Sequence, residues 1–346
     1  MIIIGCDYHP SWEQVAWLDT ETGETNEQKL VHEKGEAERF YGGLAAPALI
    51  GLEATGNSQW LLDRLRELGH EVWIGDAARI RASMVRRQKT DRRDAAHILQ
   101  LLVEGRFPKL WVPDGEQRDL RQLLIHRHRL VEIRTRVKNG LQHLALNQGM
   151  QKKRRLWSVA GQQALRELRL GPWAARRRED LLGLLASLEE QIQPLDRAVE
   201  EAARQNREAR LLMSQPGVGP ITALAFVLTI GEVSRFRRGK QVASYLGLIP
   251  REHSSGGRQR LGAISKQGNR FLRMLLVEAA QSAVRHDPEL RRQYQHRCHS
   301  KPRNVAKVAA ARQLAVRLYW MLRTDRERTD SLVIESSPRV PLVSAS

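Results

Sequence analysis

Cysteine is nearly missing from this chain: Cys6 and Cys298 are the only two among 346 residues. Two thiols so far apart in sequence make neither a disulfide framework nor a paired-thiol zinc site, which points to a reducing, cytoplasmic compartment. The cluster His296-Arg297-Cys298-His299 has no second ligand pair at finger spacing and reads as polar surface. Long apolar runs are missing too. The longest, from Ile221 to Ile230, is about half of the ~20 residues that span a bilayer. The opening MIIIGCD has no basic start and no cleavage site, so no secretion signal is expected. Negative charge is the third shortage. Asp and Glu number 39 against 57 Lys and Arg, a formal net charge of +18. Such an excess implies a polyanionic partner, and nucleic acid above all, because Lys and Arg release the counterions condensed on phosphates. A membrane surface fits less well, since no basic amphipathic segment stands apart from the rest.

The remaining composition, 41% hydrophobic and 28% charged, is that of a globular protein, and the length suggests two or three domains. The first hundred residues alternate strand and helix signals. Ile2–Ile4, Gln14–Asp19 and Glu24–His32 read as strands, Glu36–Leu44 as a helix and Ala48–Glu53 as a buried strand. A helix over Asn57–Leu68, a strand over Glu71–Ile74 and a helix over Thr90–Val103 complete an α/β domain of residues 1–108. That order of elements is also the order of ribonuclease-H-like folds. Beyond Pro108 and Pro113 the pattern turns helical. Leu123, Leu130, Val137 and Leu144 recur every seven residues, and a second stretch from Leu181 to Leu211 alternates apolar positions by four and three. This is a coiled-coil seam, which Pro194 is expected to kink or break. The seam favours a homodimer or homotetramer, and the helical segment spans 109–212.

The run Pro216-Gly217-Val218-Gly219-Pro220 before an apolar helix is either a helix-hairpin-helix phosphate turn or an ordinary Gly/Pro turn. A mainly helical domain of 213–325 and a disordered tail of 326–346 close the reading.

Chemistry is expected where acids gather in a basic protein. Asp7 ends the first strand and Glu53 the fourth, while Asp91 and Asp94 lie three apart at a helix start and share a face. Together they offer a hard oxygen-lined pocket suited to Mg²⁺, with Mn²⁺ the alternative. Two such ions stabilise the attacking and leaving oxygens of a phosphoryl displacement. Each acid also has a structural role open to it: Asp7 in a turn, Glu53 in an ion pair, Asp91 as a helix cap. A second candidate is Ser254-Ser255-Gly256-Gly257, where glycines let a ligand approach the backbone and His253 stands beside the serines.

The ordered set Gly5-Cys6-Asp7, Leu52-Glu53-Ala54-Thr55-Gly56 and Lys89-Thr90-Asp91-Arg92-Arg93-Asp94-Ala95 resembles the DEDD tetrad of the insertion-sequence transposases with a RuvC-like N-terminal domain. Pro216-Gly217-Val218-Gly219, Ala243 to Pro250, Ser255-Gly256-Gly257 and Ser265-Lys266-Gln267-Gly268-Asn269 are similar to that family's C-terminal transposase domain. The resemblance covers about residues 1–320, with the motifs in order. It implies that Asp7, Glu53, Asp91 and Asp94 bind Mg²⁺ and that Ser255 is the DNA nucleophile, forming a phosphoserine bond that is later religated, in a site composed with the metal ions. Ser254 is the fallback nucleophile. It also implies a structured guide RNA that pairs with donor and target DNA, while the protein holds the backbones. Two other readings are a junction-resolving (Holliday-type) endonuclease that activates water with the same acids, and a non-catalytic RNA-binding protein in which the acids are structural.

Overall fold

The computed structural model describes residues 1–84, 90–151, 154–252 and 260–336, which fall into two compact units, Met1–Val112 and Pro113–Ser346.

The first unit is built on strands β1 (Ile2–Tyr8), β2 (Trp12–Asp19) and β3 (Thr25–Val31), then α1 (Glu36–Gly42), β4 (Leu49–Glu53), α2 (Gln59–Glu67), β5 (Glu71–Gly75), α3 (Ala77–Ser83) and α4 (Asp91–Val103). The five strands lie in the order β3-β2-β1-β4-β5. Tight turns fold β1, β2 and β3 into an antiparallel meander, whereas α1 and α2 return the chain to make β4 and β5 parallel to β1. Side chains alternate across the pleat. Ile4, Cys6 and Tyr8 therefore join a core with Tyr41 of α1 and with Leu61 and Leu65 of α2. Ile3 faces the other way and packs with Ile98, Leu101 and Leu102 of α4. Helices on both faces of a mixed sheet make this an α/β unit, as the alternation of elements predicts.

The second unit is almost entirely helical. It comprises α5 (Gly115–Asn147), α6 (Val159–Arg166), α7 (Pro172–Gln205), α8 (Arg207–Met213), α9 (Pro220–Ile230) and α10 (Gly239–Tyr245). A short hairpin of β6 (Pro250–Glu252) and β7 (Leu261–Ile264) follows, then α11 (Arg270–His286), α12 (Pro288–Ser300) and α13 (Arg303–Ser336). Helices α5 and α7 run antiparallel: Arg127 pairs with Asp196 at 2.7 Å and Lys138 with Glu189 at 3.1 Å. Leu130, Val137, Leu141 and Leu144 bury themselves against Leu182, Leu185, Leu188 and Ile192. The heptad seam is thus filled within one chain.

Two expectations need correcting. Of the kink or break expected at Pro194, the break does not occur: α7 runs through it from Pro172 to Gln205. That proline sits on the exposed face, where water solvates the carbonyl it leaves without a partner, and the long buried stripe opposite holds the helix together. Helix α13 runs on to Ser336, past residue 326 where a disordered tail was expected to start. Arg207 explains part of this, bonding Asp325 and Thr329 at 3.0 Å each.

The Gly217 turn takes φ +85°, and a Cβ there would meet the Ala283 backbone nitrogen at 2.5 Å. Its glycine therefore serves close packing on α11, and α9 behind it is buried on nearly every side. This supports the ordinary-turn reading over a phosphate site.

Candidate active site

Two glycines set the site. Gly5 of β1 and Gly51 of β4 are register partners on the sheet face that meets α4. A Cβ at Gly5 would lie 2.3 Å from the Ala95 carbonyl oxygen, and one at Gly51 would lie 2.8 Å from Leu102 Cδ1. Helix α4 therefore lies with its own backbone on β1 at Gly5 and with the Leu102 side chain on β4 at Gly51. Its first turn, with Asp91 and Asp94, is carried to the C-terminal ends of β1 and β4. Asp7 and Glu53 stand two residues beyond Gly5 and Gly51, on the same face as each.

Asp7 and Asp91 are brought together, and His9 joins them. The His9 Nε2 lies 3.4 Å from Asp7 Oδ2 and 3.7 Å from Asp91 Oδ1. One ligand atom from each of the three residues falls within 4.8 Å of the others. Asp7 is largely buried and Asp91 half exposed, while Asp94 is buried, with 6% of its surface exposed. Burial raises the Asp7 carboxyl above the ordinary carboxylate range. The neighbouring His9 imidazole pulls it back down, and the charges of Asp94 and Asp91 push it further up. Like charges converging on a desolvated carboxylate are what a cation would relieve, so these residues fit a divalent ion. Glu53 occupies the adjoining strand end and is not one of the three.

The structural alternatives weaken. Thr90, not Asp91, holds the N-cap position of α4. No ion pair to Glu53 exists among the described residues. His9 went unread in sequence, although its spacing from Asp7 carried a signal: residues i and i+2 at a strand end share a face.

Lys89, His253, Ser254, Ser255, Gly256 and Gly257 lie outside the described residues; in sequence the serines fall between β6 and β7. A different hydroxyl, that of Ser83, lies 2.8 Å from His97 Nε2 beside α4. It donates to the Ile80 carbonyl at 2.7 Å, which leaves it as an acceptor toward the imidazole and no nucleophile.

A mixed five-stranded sheet of this order, with carboxylates from strand and helix meeting at the strands' C-terminal ends, makes an α/β unit consistent with a ribonuclease-H-like domain. Residues 4–150 match a transposase family profile, and residues 209–295 match one for the "Transposase IS116/IS110/IS902 family". A "Probable family 20 transposase" of Pseudomonas aeruginosa is 34% identical over 287 residues, covering 80% of this chain and 84% of its own. The "Transposase for insertion sequence element IS1111A" of Coxiella burnetii is 32% identical over 206 residues, 58% of this chain and 57% of its own. The "Putative transposase y4pF/y4sB" of Sinorhizobium fredii is 28% identical over 291 residues, 81% and 74%. The chain belongs to the IS110/IS116/IS902 transposase family, enzymes that cut and rejoin DNA.

Proposed function

We propose that this transposase is a DNA recombinase that uses Mg²⁺, is guided by a structured RNA, and works through a phosphoserine intermediate. The observation that carries the metal part is the meeting of Asp7 and Asp91, with Asp94 acting on Asp7 through its charge. Asp7, Glu53, Asp91 and Asp94 would hold the ion or ions, Mg²⁺ or Mn²⁺. A divalent cation bound there supplies charge neutralisation for the attacking and leaving oxygens of a phosphodiester. The α4 backbone pressed onto Gly5, and the Leu102 side chain seated over Gly51, hold the helix that carries two of the carboxylates against the strands that carry the others.

Ser255 is assigned as nucleophile from the sequence match. Its Oγ bonds to phosphorus as its proton is lost to a base, and the bond to one strand oxygen breaks, that oxygen leaving as a hydroxyl. A strand hydroxyl then attacks the phosphoserine, expels the serine oxygen and restores the phosphodiester. RNA guidance is supported by the family motifs and by the +18 net charge, which suits holding RNA and DNA backbones at once. A homodimer or homotetramer is supported by exposed Trp173, at 86%, and Val159, at 90%. No helix among the described residues is long and apolar enough to cross a membrane, and both cysteines are free. A cytoplasmic site of action is in keeping with these.

The test is trapping of a denaturation-resistant protein–DNA adduct. Ser255→Ala should abolish the adduct while DNA binding persists, and Asp7→Asn or Glu53→Gln should stop cleavage. An adduct that survives Ser255→Ala overturns the nucleophile. Cleavage without any adduct would favour a junction endonuclease that activates water.

A further inference from the structure

Resting on the reading of the acidic cluster as a divalent-ion site, we propose that His9 is a nitrogen ligand of the ion held by Asp7 and Asp91. The site then binds Mn²⁺ more tightly than Mg²⁺, whichever of the two the reaction uses.

The argument begins with the imidazole's aim. Nε2 is itself buried and has no hydrogen-bond partner among the described residues, although the His9 side chain as a whole is 36% exposed. It points between two carboxylates, at 3.4 Å from Asp7 and 3.7 Å from Asp91. A protonated imidazole bonding a carboxylate closes to about 2.7–2.9 Å on one oxygen. Here both distances exceed that, and neither acceptor is chosen over the other. The Asp7 distance instead matches the edge of a coordination polyhedron, and the Asp91 distance lies a few tenths of an ångström beyond one, within reach of a small side-chain adjustment. Metal–ligand bonds of about 2.1 Å put neighbouring ligands roughly 3.0–3.4 Å apart, from octahedral to tetrahedral geometry.

The ring is also held for that task. It stacks on Trp12 with centroids 4.1 Å apart and planes 21° off parallel, and Lys29 Nζ lies 3.9 Å from the Trp12 ring centroid. The His9 backbone nitrogen donates to the Trp12 carbonyl at 2.9 Å, which closes the β1–β2 turn. Tyr8, the residue before, is fixed from the other face of the sheet: its hydroxyl donates to the Asn57 carbonyl and accepts from Trp60 Nε1, both at 2.9 Å. An imidazole so restrained loses little freedom on binding an ion. Its nitrogen is a softer donor than carboxylate oxygen, which shifts preference toward a transition ion and away from Mg²⁺.

The experiment titrates Mn²⁺ into the full chain, follows binding by electron paramagnetic resonance, and records pulsed spectra for nitrogen coupling. The unsubstituted chain should bind Mn²⁺ and show ¹⁴N modulation, which ¹⁵N-histidine labelling replaces by the ¹⁵N pattern without any substitution. His9→Gln and His9→Asn should remove the modulation. Both should weaken Mn²⁺ about tenfold or more, with Mg²⁺, read by competition, shifting by no more than about threefold. Circular dichroism and thermal unfolding check that both variants fold. Mn²⁺ bound without nitrogen modulation, or modulation that survives both substitutions, overturns the assignment of His9. A chain that binds no Mn²⁺ at all overturns the acidic-cluster reading itself, and the ligand assignment falls with it.

Discussion

Glu13 is fully buried on β2, on the opposite sheet face from Asp7. Its Oε2 lies 3.4 Å from the Cys6 thiol and 3.7 Å from His32 Nε2. His32 also bonds the Pro10 carbonyl at 3.1 Å and stacks on Tyr8 at 5.6 Å, so it clasps the turn that carries His9. The Glu13 carboxylate, 3.7 Å away, raises the His32 imidazole above its ordinary range. Burial works against this, while Pro10 and the charges of Glu13 and Glu38 add to the rise. A group raised by folding stabilises the native state fully below its unfolded value of about 6.5, and that stabilisation is lost as pH climbs through the folded value. His32→Gln should therefore cost about 1–3 kcal/mol at pH 6, with the gap to the unsubstituted chain closing as pH rises. Urea unfolding across a pH series measures it, and a gap constant with pH would contradict the ion pair. Among single residues, Asp7 and the Asp91/Asp94 pair were legible in sequence because strand ends and i,i+3 spacing fix direction locally. His9 and Glu13 were not. Their partners come from neighbouring elements, and a lone His or Glu beside a turn looks the same whether buried or exposed.

At the scale of elements, the contact of α4 with β1 and β4 decides whether the carboxylates meet. Gly5→Ala inserts a methyl where the Ala95 carbonyl oxygen would be 2.3 Å away and the Leu99 backbone nitrogen equally close. Backbone cannot swing aside as a side chain can, so α4 must shift bodily, and overpacking of this kind costs about 1–3 kcal/mol. The shift carries Asp91 and Asp94 with it, so divalent-ion affinity should fall together with stability. Gly42→Ala in α1 is the comparison: its Cβ meets nothing within 4 Å, and the loss of backbone freedom in the unfolded chain should leave stability unchanged or higher by up to about 1 kcal/mol. Thermal unfolding and Mn²⁺ titration of both variants give the answer, and equal behaviour would mean that α4 is not positioned by these glycines. Most elements of the first unit were readable to within a few residues, since apolar runs of β1 and β4 end at turns and the amphipathic helices end near glycines. The elements that escaped bury little. Helix α3 buries only Ile80, α12 only Leu290, and β6 and β7 are short and mostly exposed, so none leaves a periodic signature.

Across the whole molecule, the positive charge is not evenly shared. Residues 1–112 carry 14 Lys and Arg against 17 Asp and Glu, a net −3, whereas residues 113–346 carry 43 against 22, a net +21. The unit with the acidic cluster thus repels a polyanion weakly, and the cations proposed for that cluster would offset the repulsion where a phosphodiester approaches it. The helical unit supplies the counterion release that drives sequence-independent binding. Helix α5 shows how. Arg129 and Arg136 are both exposed and seven residues apart, two turns along the same face, opposite no acidic partner among the described residues. Each is expected to neutralise one phosphate. Titrating the full chain with duplex DNA by fluorescence anisotropy at several salt concentrations should give a steep line of log K against log salt. Arg129→Gln and Arg136→Gln should each reduce its slope by about 1. Arg66, equally exposed but on α2 of the acidic unit, is the comparison, and Arg66→Gln should leave the slope unchanged. An equal drop from all three substitutions would mean that binding follows total charge alone, and a shallow slope in the unsubstituted chain would mean that phosphate contacts contribute little.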